Sequence, residues 1–271
     1  GPDCIDETEY NKTNCRPHRI QDYLWFIQKL NEGFIPGWDG RIALMGGSEG
    51  GAVTACLAHQ VPNLIAAIIF SSGGGLPCLE EVKVVVDRYT TSEGYSPEET
   101  QAFHEFVNEK LDEIFRDPTW EKKFLDYTHK WWAYHLGRHD IDDLLKIECP
   151  LYYSHSVDDD RVPIESADVV AEKFQETGKT NLTYRRICGY GHDIRKSCED
   201  LIQDACQWLG EVLEEQDKNP TPAEPCSIKL QRDALFSSPF FFFLRAPLAS
   251  SARSSDGSQR PSAFILHWDL L

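Results

Sequence analysis

The segment Gly46-Gly47-Ser48-Glu49-Gly50 constrains the fold of this chain more than any other feature. A short apolar run, Ile42-Ala43-Leu44-Met45, precedes it. A stretch of small residues over 49–60 follows, including Gly51, Ala52, Ala55 and Ala58. An apolar run that does not alternate and ends in glycines reads as a strand buried on both faces of a parallel sheet. The small residues after it read as a helix packed very close to that sheet. A serine between the two sits on a sharp strand-to-helix turn, which lifts its hydroxyl clear of the sheet edge. Glycines on both sides permit the backbone approach that such a turn demands. G-x-S-x-G in this setting points to Ser48 as a nucleophile, and the following helix N-terminus favours negative charge developing beside it. The competing reading is a tight turn with no chemistry.

Strand and helix alternate through much of the remaining chain. Ile20, Tyr23, Leu24, Ile27 and Leu30 recur at helical spacing over 17–32, with Pro17 suited to a first turn. Residues 64–70 read as a second buried strand, closed by Ser71-Ser72-Gly73-Gly74-Gly75. After residue 146 come a strand over 150–155 and a helix over 164–177 with Gly178 at its C-cap. A strand over 182–188 and an amphipathic helix over 196–215 complete the series. This order predicts an α/β fold with a mostly parallel sheet and helices on both faces. Residues 78–146 interrupt it. They are helical, acidic and aromatic, with a capping box at Ser96-Pro97-Glu98-Glu99 and with Trp120, Phe124, Tyr127, Trp131, Trp132 and Tyr134. Those aromatics serve either a pocket or, more simply, the insertion's own core.

A serine nucleophile needs a base and an acid to orient that base. Asp158-Asp159-Asp160-Arg161-Val162-Pro163 follows the strand at 150–155, and Gly189-Tyr190-Gly191-His192 follows the strand at 182–188. An acid after the first strand can reach a histidine on the loop after the second, so Asp159 and His192 are the expected partners of Ser48. Three adjacent carboxylates also describe an ordinary solvated loop, and the chain holds nine histidines. Placement at strand ends singles these residues out. The oxyanion of an acyl-transfer intermediate would take the backbone N–H of Glu49, the residue after the nucleophile.

The order Ser, Asp, His in these three motifs resembles the α/β-hydrolase superfamily over residues 41 to about 213. Gly-Gly-Ser-Glu-Gly-Gly at 46–51, Asp-Asp-Arg-Val-Pro at 159–163 and Gly-Tyr-Gly-His at 189–192 are most similar to its dienelactone-hydrolase and prolyl-oligopeptidase branch. The bile-acid acyltransferase and acyl-CoA thioesterase group is more distantly similar. In that branch the acid is the aspartate two before the arginine, which corresponds to Asp159. The resemblance implies residues 1–216 as a catalytic portion in which 78–146 form a helical cap over the serine. Such proteins carry further strands, and a second oxyanion donor, upstream of the position where this chain starts. The chain opens Gly1-Pro2 with Met45 as its only methionine, and no HGG-like motif precedes residue 41. The expectation is a hydrolase lacking its N-terminal strands, or a reduced homologue.

Composition narrows the partners. A net charge of −17 argues against nucleic acid and anionic membrane surfaces. No apolar run is long enough to span a bilayer and no signal peptide is evident. The nine cysteines are scattered with no zinc spacing, so free thiols in a cytoplasmic setting, no metal and no cofactor are expected. Residues 217–271 change character, with Ser, Pro and Arg prominent and a Phe240–Phe243 run, and read as a low-complexity, disordered tail. The expected function is a serine hydrolase that cleaves a small-molecule ester, thioester or amide through an acyl-enzyme. An acyltransferase passing the acyl group to an amine or alcohol, and an inactive truncated hydrolase, are the alternatives.

Overall fold

The computed structural model describes residues 7–36, 38–137, 139–192 and 199–218, together with the strands at 242–244 and 264–268. Two helices, α1 (Glu7–Thr13) and α2 (Arg16–Asn31), lead into β1 (Ile42–Gly47), α3 (Glu49–Ala58) and β2 (Leu64–Phe70). Then come α4 (Cys78–Ser92), α5 (Pro97–Arg116), the short strands β3 (Lys123–Phe124) and β4 (Tyr127–Thr128), α6 (His129–Leu136) and α7 (Ile141–Leu144). The alternation resumes with β5 (Leu151–Ser156), α8 (Ile164–Glu176), β6 (Leu182–Ile187) and α9 (Glu199–Lys218). Two further strands follow, β7 (Phe242–Leu244) and β8 (Phe264–Trp268).

The main sheet runs β6-β5-β2-β1-β8-β7. All neighbours are parallel except β7 and β8. Residues of β1 and β5 are buried throughout, as expected of strands covered on both faces. Alternate side chains divide between two layers. Ile42 and Leu44 pack with Ile20, Leu24 and Ile27 of α2 and with Val53 and Leu57 of α3. On the same face, Ile69 and Tyr153 pack with Ala167, Val170 and Phe174 of α8. Ala43, Met45, Ile68 and Tyr152 point the other way, onto Leu201, Ala205 and Leu209 of α9. The α/β architecture is therefore the one the strand–helix alternation predicts.

The interruption at 78–146 is mostly helical and has a small core of its own around Leu111, Ile114 and Leu136. The capping box at Ser96 forms, with Glu99 N–H donating to Ser96 Oγ and Ser96 N–H donating to Glu99. The β3–β4 hairpin inside this segment has no alternating signal long enough to be legible. Trp132 Nε1 donates to the Phe124 carbonyl at 2.9 Å and anchors it, and Leu125 takes the turn with φ +52°. The helix expected at 49–60 ends at Ala58, and the last helix runs on to Lys218. Asp217 there meets Arg41 at 2.9 Å. Beyond Lys218 the expected low-complexity tail lies outside the described residues, apart from the strand pair that continues the sheet beside β1.

Close approach of α3 to the sheet demands glycine. A Cβ on Gly46 would lie 2.2 Å from the Gly50 carbonyl oxygen, and one on Gly51 2.6 Å from Ser72 Cβ. Gly46→Ala is expected to cost about 3 kcal/mol, because the clash is with backbone that cannot yield. Gly210→Ala, inside α9 with nothing within 4 Å of its Cβ, should instead gain about 0.5–1 kcal/mol. Midpoints of urea unfolding measure both.

Candidate active site

Ser48 is the residue between β1 and α3, and it adopts φ +51°, ψ −120°. That conformation is costly for a non-glycine residue. It is held from both sides: Ser48 N–H donates to the Phe70 carbonyl at 2.9 Å, and the Ser48 carbonyl accepts from Gly51 N–H at 3.0 Å. Serine at a helix N-cap ordinarily turns its hydroxyl onto a backbone N–H. Ser48 makes no such bond. Its Oγ lies instead 2.9 Å from His192 Nε2.

His192 Nδ1 is 3.0 Å from both carboxylate oxygens of Asp159. A carboxylate only accepts, so the ring proton sits on Nδ1, and Nε2 offers its lone pair to the serine hydroxyl. Asp159 is buried, with 2% of its surface exposed, and its Oδ1 also accepts from the Arg161 and Val162 N–H groups, each at 2.9 Å. Burial alone would raise its pKa. The His192 hydrogen bond and charge, with the two backbone donors, outweigh burial and hold it below the ordinary carboxylate value. The structure thus brings together all three residues singled out by strand-end placement. Glu49 N–H, at the first position of α3, belongs to the amides that a helix leaves without an intrahelical partner.

Several neighbours carry no signal in the sequence. Asp158 Oδ1 accepts from Gly189 N–H at 2.8 Å and from Ser156 Oγ at 2.8 Å. Its Oδ2 accepts from Gly191 N–H at 3.3 Å. These bonds keep its carboxylate below the usual range and clamp the loop that carries His192. His155 lies behind the acid, fully buried, with Nε2 3.4 Å from Asp159 Oδ2. Asp160 makes no comparable contact with the histidine loop among the described bonds. A run of three aspartates hides this division of labour, because only backbone direction separates them.

Ser48 opens on a cavity of about 220 Å³ whose walls include Arg16, Glu49, Gly73, Trp131, His135 and Asp140. Glu49 is held by Arg19 at 3.1 Å and by Trp131 Nε1 at 3.1 Å. Arg16, 3% exposed, pairs with Asp140 at 2.5 Å. Residues 78–146 contribute to this cavity from α4, α6 and the residues before α7. Their aromatics divide: Tyr127, Trp131 and Trp132 line the cavity, whereas Tyr89, Phe106 and Tyr134 are exposed. Cys56, Asp140 and Asp143 place ligand atoms within 4.8 Å of one another. Cys56 Sγ donates to Asp143 and Asp140 holds Arg16, so the group is already engaged internally.

The parallel sheet, the serine turn at the end of β1 and helices on both faces make this an α/β-hydrolase-like fold. The chain is distantly similar to several solved structures. One is an α/β hydrolase from a sediment metagenome of the Mar Chica lagoon, Morocco, at 16% identity over 71% of this chain and 70% of that one, TM-score 0.41. Another is a Paleococcus ferrophilus monoacylglycerol lipase at 17% identity over 71% and 76%, TM-score 0.43. A third is a Pyrococcus furiosus esterase at 16% identity over 72% and 61%, TM-score 0.46. No family model and no curated protein matches the chain. No described helix is long and apolar enough to cross a membrane.

The Arg16–Asp140 pair forms part of the cavity wall. Asp140→Asn leaves a buried guanidinium without its counter-charge and is expected to cost about 3 kcal/mol. Thermal or urea unfolding of the variant reads this directly.

Proposed function

We propose that this chain is a serine hydrolase that cleaves a small ester, thioester or amide through an acyl-enzyme intermediate. The observation that carries the reading is the hydrogen-bonded series Ser48 Oγ, His192 Nε2, His192 Nδ1, Asp159, with distances of 2.9, 3.0 and 3.0 Å. In this reading His192 takes the Ser48 proton as Oγ attacks the substrate carbonyl. The imidazolium that forms is stabilised by Asp159, which stays ionised throughout. His192 then protonates the leaving group. A water deprotonated by the same ring attacks the acyl-enzyme, and Ser48 regains its proton. The Glu49 N–H, assisted by the N-terminal end of α3, faces the negative charge that develops on the carbonyl oxygen. Residues 78–146 act as the cap that shapes the acyl pocket, and residues 1–216 form the catalytic portion.

Asp159 is the orienting acid and Asp160 is not. On a 4-nitrophenyl ester, Asp159→Asn is expected to lower kcat by about 10³ to 10⁴, because an amide at this position favours the wrong tautomer of His192. Asp160→Asn should change kcat less than threefold. A larger loss from Asp160→Asn than from Asp159→Asn would overturn the assignment. The acid limb of stability gives a second check. Asp159 is depressed in the folded state, so its contribution is present above about pH 4 and is lost as pH falls through its folded pKa. Asp159→Asn should flatten that part of the stability–pH curve.

A further inference from the structure

The cavity beside Ser48 has one polar edge to which the acyl-transfer steps assign nothing. His135, on α6, lines it together with Ser48, Glu49 and Arg16. The ring stacks on Trp131, with centroids 4.6 Å apart and planes inclined by 15°. Arg16 Nη2 lies 3.3 Å from His135 Nδ1. A guanidinium carries donors only, so Nδ1 must present its lone pair and the ring proton must sit on Nε2. Arg16 cannot turn away, since its Nη1 is held by Asp140. No described residue accepts a hydrogen bond from His135 Nε2.

Burial, and after it the charge of Arg16, pull the imidazole down to about 3. The ring is therefore neutral across the working pH range. The charged groups sharing its cavity are Arg16, Asp140, Glu49, Glu81 and Arg161. The Arg16 cation next to the ring disfavours a second one there, and Asp140 and Glu49 are engaged by Arg16 and Arg19. Such a group is a neutral hydrogen-bond donor with a fixed tautomer. Ligand cavities commonly run to about 300–1,000 Å³, so the cavity of about 220 Å³ suits a short acyl group.

We propose that His135 is a specificity-determining substrate contact, whose Nε2–H donates to an oxygen carried within the acyl group, so that short oxygen-bearing acyl groups are preferred over their all-carbon isosteres. The inference rests on Ser48 being the nucleophile, since that choice makes this cavity the acyl pocket. An all-carbon acyl chain strips water from the donor and returns no acceptor, which penalises it relative to the oxygen analogue.

The test pair is 4-nitrophenyl methoxyacetate and 4-nitrophenyl butyrate, whose acyl groups differ by one oxygen in place of one methylene. Each kcat/KM is divided by the uncatalysed hydrolysis rate of the same ester, which removes the difference in intrinsic reactivity. In His135→Phe the corrected preference for methoxyacetate should fall about tenfold, the scale of one neutral hydrogen bond in a confined site. His135→Gln, which restores an N–H donor, should recover part of it. Nitrogen-15 NMR of the histidine rings should show His135 as the neutral Nε2–H tautomer from pH 8 to pH 5. Labelling of Ser48 by a fluorophosphonate with an unchanged ester preference in His135→Phe overturns this inference alone. So does an Nδ1–H or doubly protonated ring at pH 7. Failure of both labelling and ester turnover in the parent chain overturns the Ser48 reading and this inference with it.

Discussion

The contact on which the site depends is the approach of the first turn of α3 to the end of β1. Gly46 faces the Gly50 carbonyl and Gly51 faces Ser72, each at distances that no side chain tolerates. With the helix pressed this close, the chain must reverse within one residue, and Ser48 is driven to φ +51°. The strain of that conformation is balanced by packing of an entirely buried strand and helix. The turn also decides what the hydroxyl can do. In an ordinary N-cap the serine oxygen would be spent on the helix amides. In this geometry those amides remain available and the hydroxyl faces His192.

The second half of the site is a matter of loop control. His192 follows Gly189 and Gly191 in the loop after β6. Asp159 fixes its ring, and Asp158 fixes its backbone through Gly189 and Gly191. The two carboxylates are adjacent in sequence, in the turn after β5, but serve different partners. Arg16 and Arg19 play the complementary part at the other wall, where they meet Asp140 and Glu49.

Much of this was legible from residue order because the relevant signals are local. Unbroken apolar runs mark β1 and β2, and β5 opens on Leu151-Tyr152-Tyr153. Glycines mark the turns, and the three motifs each lie where a strand ends. Features that depend on distant residues were not legible. Arg16 meets Asp140 and His135 across more than a hundred positions, and nothing in residues 14–19 announces a buried cation. His135 reads as one of nine histidines on an aromatic helix until the Arg16 donor fixes its tautomer. Asp158 is indistinguishable from Asp160 by composition. The β3–β4 hairpin is too short for a period of two to register, and its anchor, Trp132, lies outside it. The aromatic excess of residues 78–146 favoured the insertion's own core over a pocket, and the structure serves both: Phe124 packs in that core, Tyr127 and Trp131 line the cavity, and Trp132 does each.

The claim that organises all of this is that Ser48 forms the covalent bond to the acyl group. The most direct measurement is to quench a reaction with a slowly deacylating ester in acid and locate the adduct by peptide-resolved mass spectrometry. The account predicts that the acyl mass is carried by the peptide that follows Arg41 and contains Ser48, and that it is absent from Ser48→Ala. An acyl adduct on another residue, with turnover retained in Ser48→Ala, would contradict it.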